Sequence, residues 1–201
     1  TSFVARAQEM VVEPFAYLAR RKGPMIVAIL VLVALFRLPD FVAGVMANPL
    51  YIDLGFSKSE IASVSKLYGV WIGILGAFAG GIAATRIGLW ATLLLGAVSA
   101  AASNLMFAWL ALEGHNLNLL MLSISLDNFA GGFAGTALIA YMSSLTSPAF
   151  AATQYALLSS LYALPGKVVG GLSGYMVDSF GYPAFFILTA AIGIPTTLLC
   201  L

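Results

Sequence analysis

Six long apolar segments, joined by loops too short to fold on their own, constrain this chain more than any other feature. They run from Gly23 to Leu50, Ser59 to Ala84, Leu89 to Leu112, Asn118 to Leu145, Ala152 to Val177 and Tyr182 to Leu201. Each is near or above the roughly 20 residues that an α-helix needs to cross a hydrocarbon layer about 30 Å thick. No water is available there to satisfy backbone N–H and C=O groups, so a lone crossing segment must close its own hydrogen bonds as a helix. The linking stretches YIDLGFSK, TRIG, EGHN, TSPAFA and DSFGYP leave no room for an extramembrane domain. Composition agrees: 61% of the 201 residues are hydrophobic and only 8% are charged, against about a quarter charged in soluble domains. The expected fold is an all-α membrane protein, a bundle of six transmembrane helices.

The formal net charge of +1 offers no footprint for nucleic acid. A single cysteine, Cys200, excludes an internal disulfide and a thiolate metal cluster. No motif asks for a cofactor or a metal. The chain starts at Thr1, and its first 22 residues hold charges where a signal peptide needs a hydrophobic core, which points to a piece of a longer polypeptide. Within that stretch Phe3, Val4, Ala7, Met10, Val11, Phe15 and Leu18 recur at helical spacing, with Glu13 and Pro14 as an expected interruption. Residues 1–22 therefore read as a cytoplasmic amphipathic connector and residues 23–201 as the bundle. Arg6, Arg20, Arg21, Lys22 and Arg86 fall on one side of the membrane and Lys58 alone on the other, which places both termini in the cytoplasm.

The two halves echo each other. The first span holds D-F-V-A-G at Asp40 to Gly44 and the fourth D-N-F-A-G at Asp127 to Gly131. Leu67-Tyr68 in the second span precedes Gly76 and Gly80; Leu161-Tyr162 in the fifth precedes Gly170 and Gly174 at the same spacing. The expectation is a 3+3 repeat, and because three is odd the second copy enters the membrane inverted, as in secondary transporters. The four glycines are expected at close helix contacts.

Charges inside the spans are costly, about 2.5–3.5 kcal/mol each at a helix centre, so Arg37, Asp40, Lys66, Asp127 and Lys167 are expected to face one another or water. Arg37 and Asp40, three apart, share a helix face. Pro39 and Pro165 withhold the amides that would meet the Leu35 and Leu161 carbonyls. The expected site is a polar cavity between the first, second, fourth and fifth spans, with the uncharged third and sixth as shields. It takes Arg37, Asp40, Lys66, Asp127, Asn128 and Lys167, with Tyr68 and Tyr162 as stacking surfaces. Three cations against two carboxylates favour an anionic solute. A carboxylate desolvated when empty and paired when occupied changes its proton affinity, which makes Asp127, and then Asp40, the candidates for proton coupling.

Several stretches carry a family resemblance: VVEPFAYLARRKG, DLGFSKSEIASVSKLYG, DNFAGGFAGTALIAYM and ATQYALLSSLYALPGKVVGGLSGYMVDSFGYPAFF. They resemble the C-terminal half of AmpG-type muropeptide permeases of the major facilitator superfamily. That resemblance implies one half of a twelve-helix fold, with the N-terminal six-helix half elsewhere, in a bacterial inner membrane. It implies proton-driven import of anhydromuropeptides, anionic solutes of cell-wall recycling. Related importers of other solutes, siderophores among them, share much of the pattern. The loop GGIAATRIGLW at Gly80 to Trp90 departs from it by lacking an acidic residue before Arg86.

Other classes fit less well. Gly171-Leu172-Ser173-Gly174 matches the G-x-S-G of intramembrane proteases, but the one histidine, His115, lies before the serine and none follows it. Asn48-Pro49-Leu50 occurs once and lacks the alanine of a water-channel motif. A structural membrane subunit would have little use for central charges.

Overall fold

The computed structural model describes residues 12–201. The pattern expected over Phe3, Val4, Ala7, Met10 and Val11 lies outside them. A helix over Glu13–Lys22 precedes the bundle, with Pro14 in its first turn. A first-turn amide has no intrahelical partner, so proline is tolerated at this position. Pro14 and Leu18 are buried against the bundle while Arg20 and Arg21 stay exposed. Buried Gln154 holds the helix in place: its Nε2 donates to the Pro14 carbonyl at 2.9 Å, and its Oε1 accepts from the Ser147 amide at 2.8 Å.

The first span, Met25–Asp53, is two helices, Met25–Phe36 and Leu38–Asp53, that meet at Arg37. Pro39 is the cause, because it offers no amide to the Leu35 carbonyl. That carbonyl instead accepts the Arg37 amide and, at 3.3 Å, the Thr196 hydroxyl from the end of the chain. The second span, Lys58–Arg86, opens on a reciprocal cap: the Glu60 amide donates to Ser57 Oγ and the Ser57 amide to Glu60 Oε2. It then widens over Ala62–Tyr68 into a π-helical turn before resuming as Gly69–Arg86. The third span, Leu89–Glu113, lies between Gly88 and Gly114, both at positive φ, where side chains other than glycine's are strained. Asn116 caps the fourth span, Leu117–Leu145, by accepting from the Leu119 amide at 3.1 Å.

The fifth helix runs over Ala151–Gly170 without breaking at Pro165. The last helix, Ser173–Leu199, is interrupted at Gly181, where φ 77° and ψ 165° are not helical. Contacts with the first span show that the chain reverses there. Gly166 lies against Phe41 and Gly170 against Val45, so the fifth helix runs parallel to the first span. Tyr182 donates to Asp53, Gly193 sits by Pro39 and Thr196 reaches Leu35, so residues 182–199 run antiparallel to it. Residues 173–180 thus extend the fifth helix, residues 182–199 form the sixth span, and the turn falls in the stretch DSFGYP. Among the described residues five helices are long and apolar enough to cross a membrane; Ala151–Gly170 is diluted by Gln154, Ser159, Ser160 and Lys167.

Packing repeats with the halves exchanged. The second span lies along the fourth and the fifth helix along the first, while the third and sixth pack on each other and back the fourth and first. This is the arrangement of a 3+3 inverted repeat, as expected. Glycines set the closest approaches. A Cβ on Gly80 would come within 2.7 Å of the Phe133 carbonyl oxygen, and one on Gly76 or Gly132 would strike backbone of the facing helix. Gly170 has a tight neighbour in Val45, but Gly174 meets nothing within 4 Å and so is not a packing glycine.

Two apolar layers fill the bundle. One holds Leu32, Val33, Phe36, Leu93, Ala97, Leu138 and Met142; the other holds Leu38, Val42, Phe107, Leu120, Ile124, Phe185 and Phe186. Along four spans polar residues lie at the change-over: Arg37 on the first, Ser103 and Asn104 on the third, Asp127 and Asn128 on the fourth, Thr196 on the sixth. At 1.5 Å per residue Arg37 is about 18 Å from Met25 and about 24 Å from Asp53, so this polar stratum lies near mid-membrane.

Candidate functional site

Arg37 organises the stratum. Its position at the junction of two helices frees its side chain to cross to the fourth span, where Nη1 donates to the Gly131 carbonyl at 2.8 Å. The same nitrogen stands 3.2 Å from Asp40 Oδ2, an ion pair by distance but off the hydrogen-bond direction. Both Asp40 oxygens are buried and lack a hydrogen-bond partner, as do both amide atoms of wholly buried Asn104. Asp127 accepts from Ser103 Oγ at 3.3 Å.

Arg37, Asp40, Asp127 and Asn128 together line a cavity of about 320 Å³, completed by Phe41, Gly73, Gly131 and Gly132. The cavity thus holds two carboxylates and one guanidinium, which pairs with Asp40. A second cavity, about 220 Å³, shares Arg37 and Phe41 and is otherwise apolar, with Leu138, Ile139, Met142 and Tyr162 in its wall. Between the two, Phe41 is a shelf. The Arg37 guanidinium lies 5.8 Å from its ring centroid, and the Tyr162 ring stacks nearly parallel to it, 6.0 Å away and tilted by 9°. Cation, phenyl and phenol thus form a column across the first and fifth helices.

The remaining expected residues lie apart. Tyr68 is exposed and shares a 2.9 Å hydrogen bond with Ser125 of the fourth span. Asn128 turns its amide back to the Ile124 carbonyl at 2.9 Å, close to where the second span crosses at Gly69. Lys66, in the wide turn, and Lys167 are both exposed and do not line the Arg37 cavity; Lys167 borders a separate groove with Ser159, Ser160 and Leu164. The five charges accordingly do not converge on one pocket, and the three that do sum to −1. Azimuth separates them: a helix points each side chain according to its neighbours, and a lysine can leave a polar cavity for an open face.

Sequence reasoning missed Ser103, because the third span was read only for charge and judged a shield. The signal was there, in the adjoining polar pair Ser103-Asn104 of an Ala-rich segment. Phe41, within the repeated D-F-V-A-G stretch, was not among the expected site residues.

Comparison with known proteins gives a consistent result. Residues 16–201 match the Major Facilitator Superfamily. The chain is 36% identical over 185 residues to "Putative transporter AmpG 4" of Rickettsia felis, covering 92% of this chain and 44% of that protein. It is 40% identical over 176 residues to "Putative transporter AmpG 1" of Rickettsia prowazekii, covering 88% of this chain and 40% of the relative. The chain thus spans less than half the length of these curated relatives. With six spans in an inverted repeat among the described residues, and a family match over nearly its whole length, the chain belongs to the major facilitator superfamily.

Proposed function

We propose that this chain forms one six-helix half of a proton-coupled secondary transporter, not an enzyme, in a bacterial inner membrane. Its Arg37 cavity is half of the solute site, the other half belonging to a second six-helix bundle. Arg37 takes a carboxylate of the solute, the Phe41–Tyr162 column takes an apolar or sugar-ring face, and the solute class is anionic anhydromuropeptides. Lys66 and Lys167, exposed on flanking helices, add positive potential along the route. The short basic stretch Arg20 to Lys22 and Arg86 support a cytoplasmic position for the Glu13–Lys22 helix and for both ends of the chain.

The observation that carries this reading is that two carboxylates, Asp40 and Asp127, line one cavity with a single guanidinium, which pairs with Asp40. A buried charge has to be balanced by a counter-charge or by a proton. With Arg37 engaged by Asp40 and the Gly131 carbonyl, Asp127 is balanced by a proton. When solute occupies Arg37, a second negative charge enters and a proton becomes its natural companion. Charge balance thereby ties solute to proton. The test is uptake of a radiolabelled anhydromuropeptide by membrane vesicles holding the full-length protein. Uptake driven by an inward proton gradient, abolished by an uncoupler and lost in Arg37→Gln, is the expected result. Uptake indifferent to the gradient removes the coupling, and no uptake of this solute removes the solute class.

A further inference from the structure

We propose that Ser103, on the third span, is a positioning residue that reads the protonation state of Asp127 through a hydroxyl able to change acceptors. The inference rests on the coupling reading above and gives a working part to a helix expected only to shield the site. A serine hydroxyl has one hydrogen, and two acceptors lie within its reach: the Ala100 carbonyl at 2.9 Å and Asp127 Oδ1 at 3.3 Å. It serves one well at a time. An ionised Asp127 is the stronger acceptor and draws the hydrogen across, since hydrogen bonds to a charged partner are roughly twice as strong as neutral ones. A protonated Asp127 can instead donate its own hydrogen to Ser103 Oγ, and the hydroxyl turns back to Ala100.

No covalent bond of Ser103 changes in this exchange. The proton that Asp127 gains or loses comes from and returns to water in the cavity, and the serine hydrogen stays on its oxygen. The device is shielded from bulk water, because Ser103 is only 3% exposed and adjacent Asn104 is wholly buried. Neither amide atom of Asn104 has a partner, so this turn of the third span holds unspent hydrogen-bonding capacity next to Ser103. The groups that face Asp127 are few. The first span presents Arg37 and Asp40 across the cavity and, further along, buried Tyr51. The second span presents Gly73 and the third Ser103. Tyr162 of the fifth helix stands beyond Phe41, and the ammonium groups of Lys66 and Lys167 lie off this wall.

The experiment measures the pH dependence of labelled anhydromuropeptide uptake by the full-length transporter in proteoliposomes. It compares the parent with Ser103→Ala, Ser103→Thr and Ser103→Cys. Loss of the hydroxyl removes a donor that favours ionised Asp127, so in Ser103→Ala the pH of half-maximal uptake rises by about half to one unit, with KM at the acid plateau little changed. Threonine, which keeps the hydroxyl, restores the parental midpoint, and cysteine, a weaker donor of similar size, falls between. A midpoint that stays parental in both Ser103→Ala and Ser103→Cys overturns the role of Ser103 while leaving proton coupling intact. A parent whose uptake shows no pH dependence overturns coupling itself, and this inference with it.

Discussion

Replacing Gly76 with alanine tests the packing that holds the site together. Gly76 lies where the second span crosses the fourth, and a Cβ there would come within 2.9 Å of both the Cα and the carbonyl carbon of Phe129. These are backbone atoms of a continuous helix and cannot swing aside, so the two spans must separate. Overpacking of this kind costs about 1–3 kcal/mol. In a chain of this size each kcal/mol moves the unfolding midpoint by about 2–4 °C, so Gly76→Ala is expected to lose about 2–12 °C. The control is Gly44→Ala, also within a helix, where an added Cβ meets nothing within 4 Å. There alanine's helix propensity adds about 0.5–1 kcal/mol, and the midpoint should hold or rise. Thermal unfolding in detergent, followed by tryptophan fluorescence, reads both. Equal midpoints for the two variants, or a larger loss at Gly44, would refute the close second–fourth crossing.

Three other substitutions probe separate contacts. Thr196→Val removes the hydroxyl that meets the Leu35 carbonyl freed at the Arg37 junction, at a cost of about 1 kcal/mol; hydrogen exchange of amides near Arg37 should quicken while that of the fourth span does not. Gln154→Leu leaves the Pro14 carbonyl and the Ser147 amide without their partner, so the Glu13–Lys22 helix should become open to proteolysis before the bundle unfolds. Tyr182→Phe removes an exposed 2.6 Å hydrogen bond to Asp53 and should cost less than about 1 kcal/mol, seen as a shift of no more than a few degrees in the same thermal assay.

Much of the architecture was legible in the sequence because the bilayer restricts what a long apolar segment can do. The turn at Gly181 falls in the polar stretch expected between the last two spans, and the fault at Arg37 follows from Pro39. The halves' shared glycine spacing also found real contacts at Gly76, Gly80 and Gly170. Pro165 was equally visible and left its helix unbroken, since proline's effect depends on whether a neighbour takes up the freed carbonyl, as Thr196 does for Leu35. The π-helical turn at Ala62–Tyr68 has no residue signature, and it decides where Lys66 and Tyr68 point. Lys167 shows the same limit: sequence gives its depth in the membrane, but its bearing depends on how the fifth helix is rotated against the first. Ser103 lay in plain view but was discounted, because hydroxyls are cheap to bury and were weighed below charges.

The most direct test of the account asks whether the space between the first and fourth spans is a water-filled solute site. Asn128→Cys, in a cysteine-free background of the full-length transporter, places a thiol on the wall of the Arg37 cavity. Reaction with a membrane-impermeant maleimide, slowed by added anhydromuropeptide and no longer slowed when Arg37→Gln is also present, is the predicted result. A thiol that never reacts, or one that reacts at the same rate with and without that solute, would contradict it.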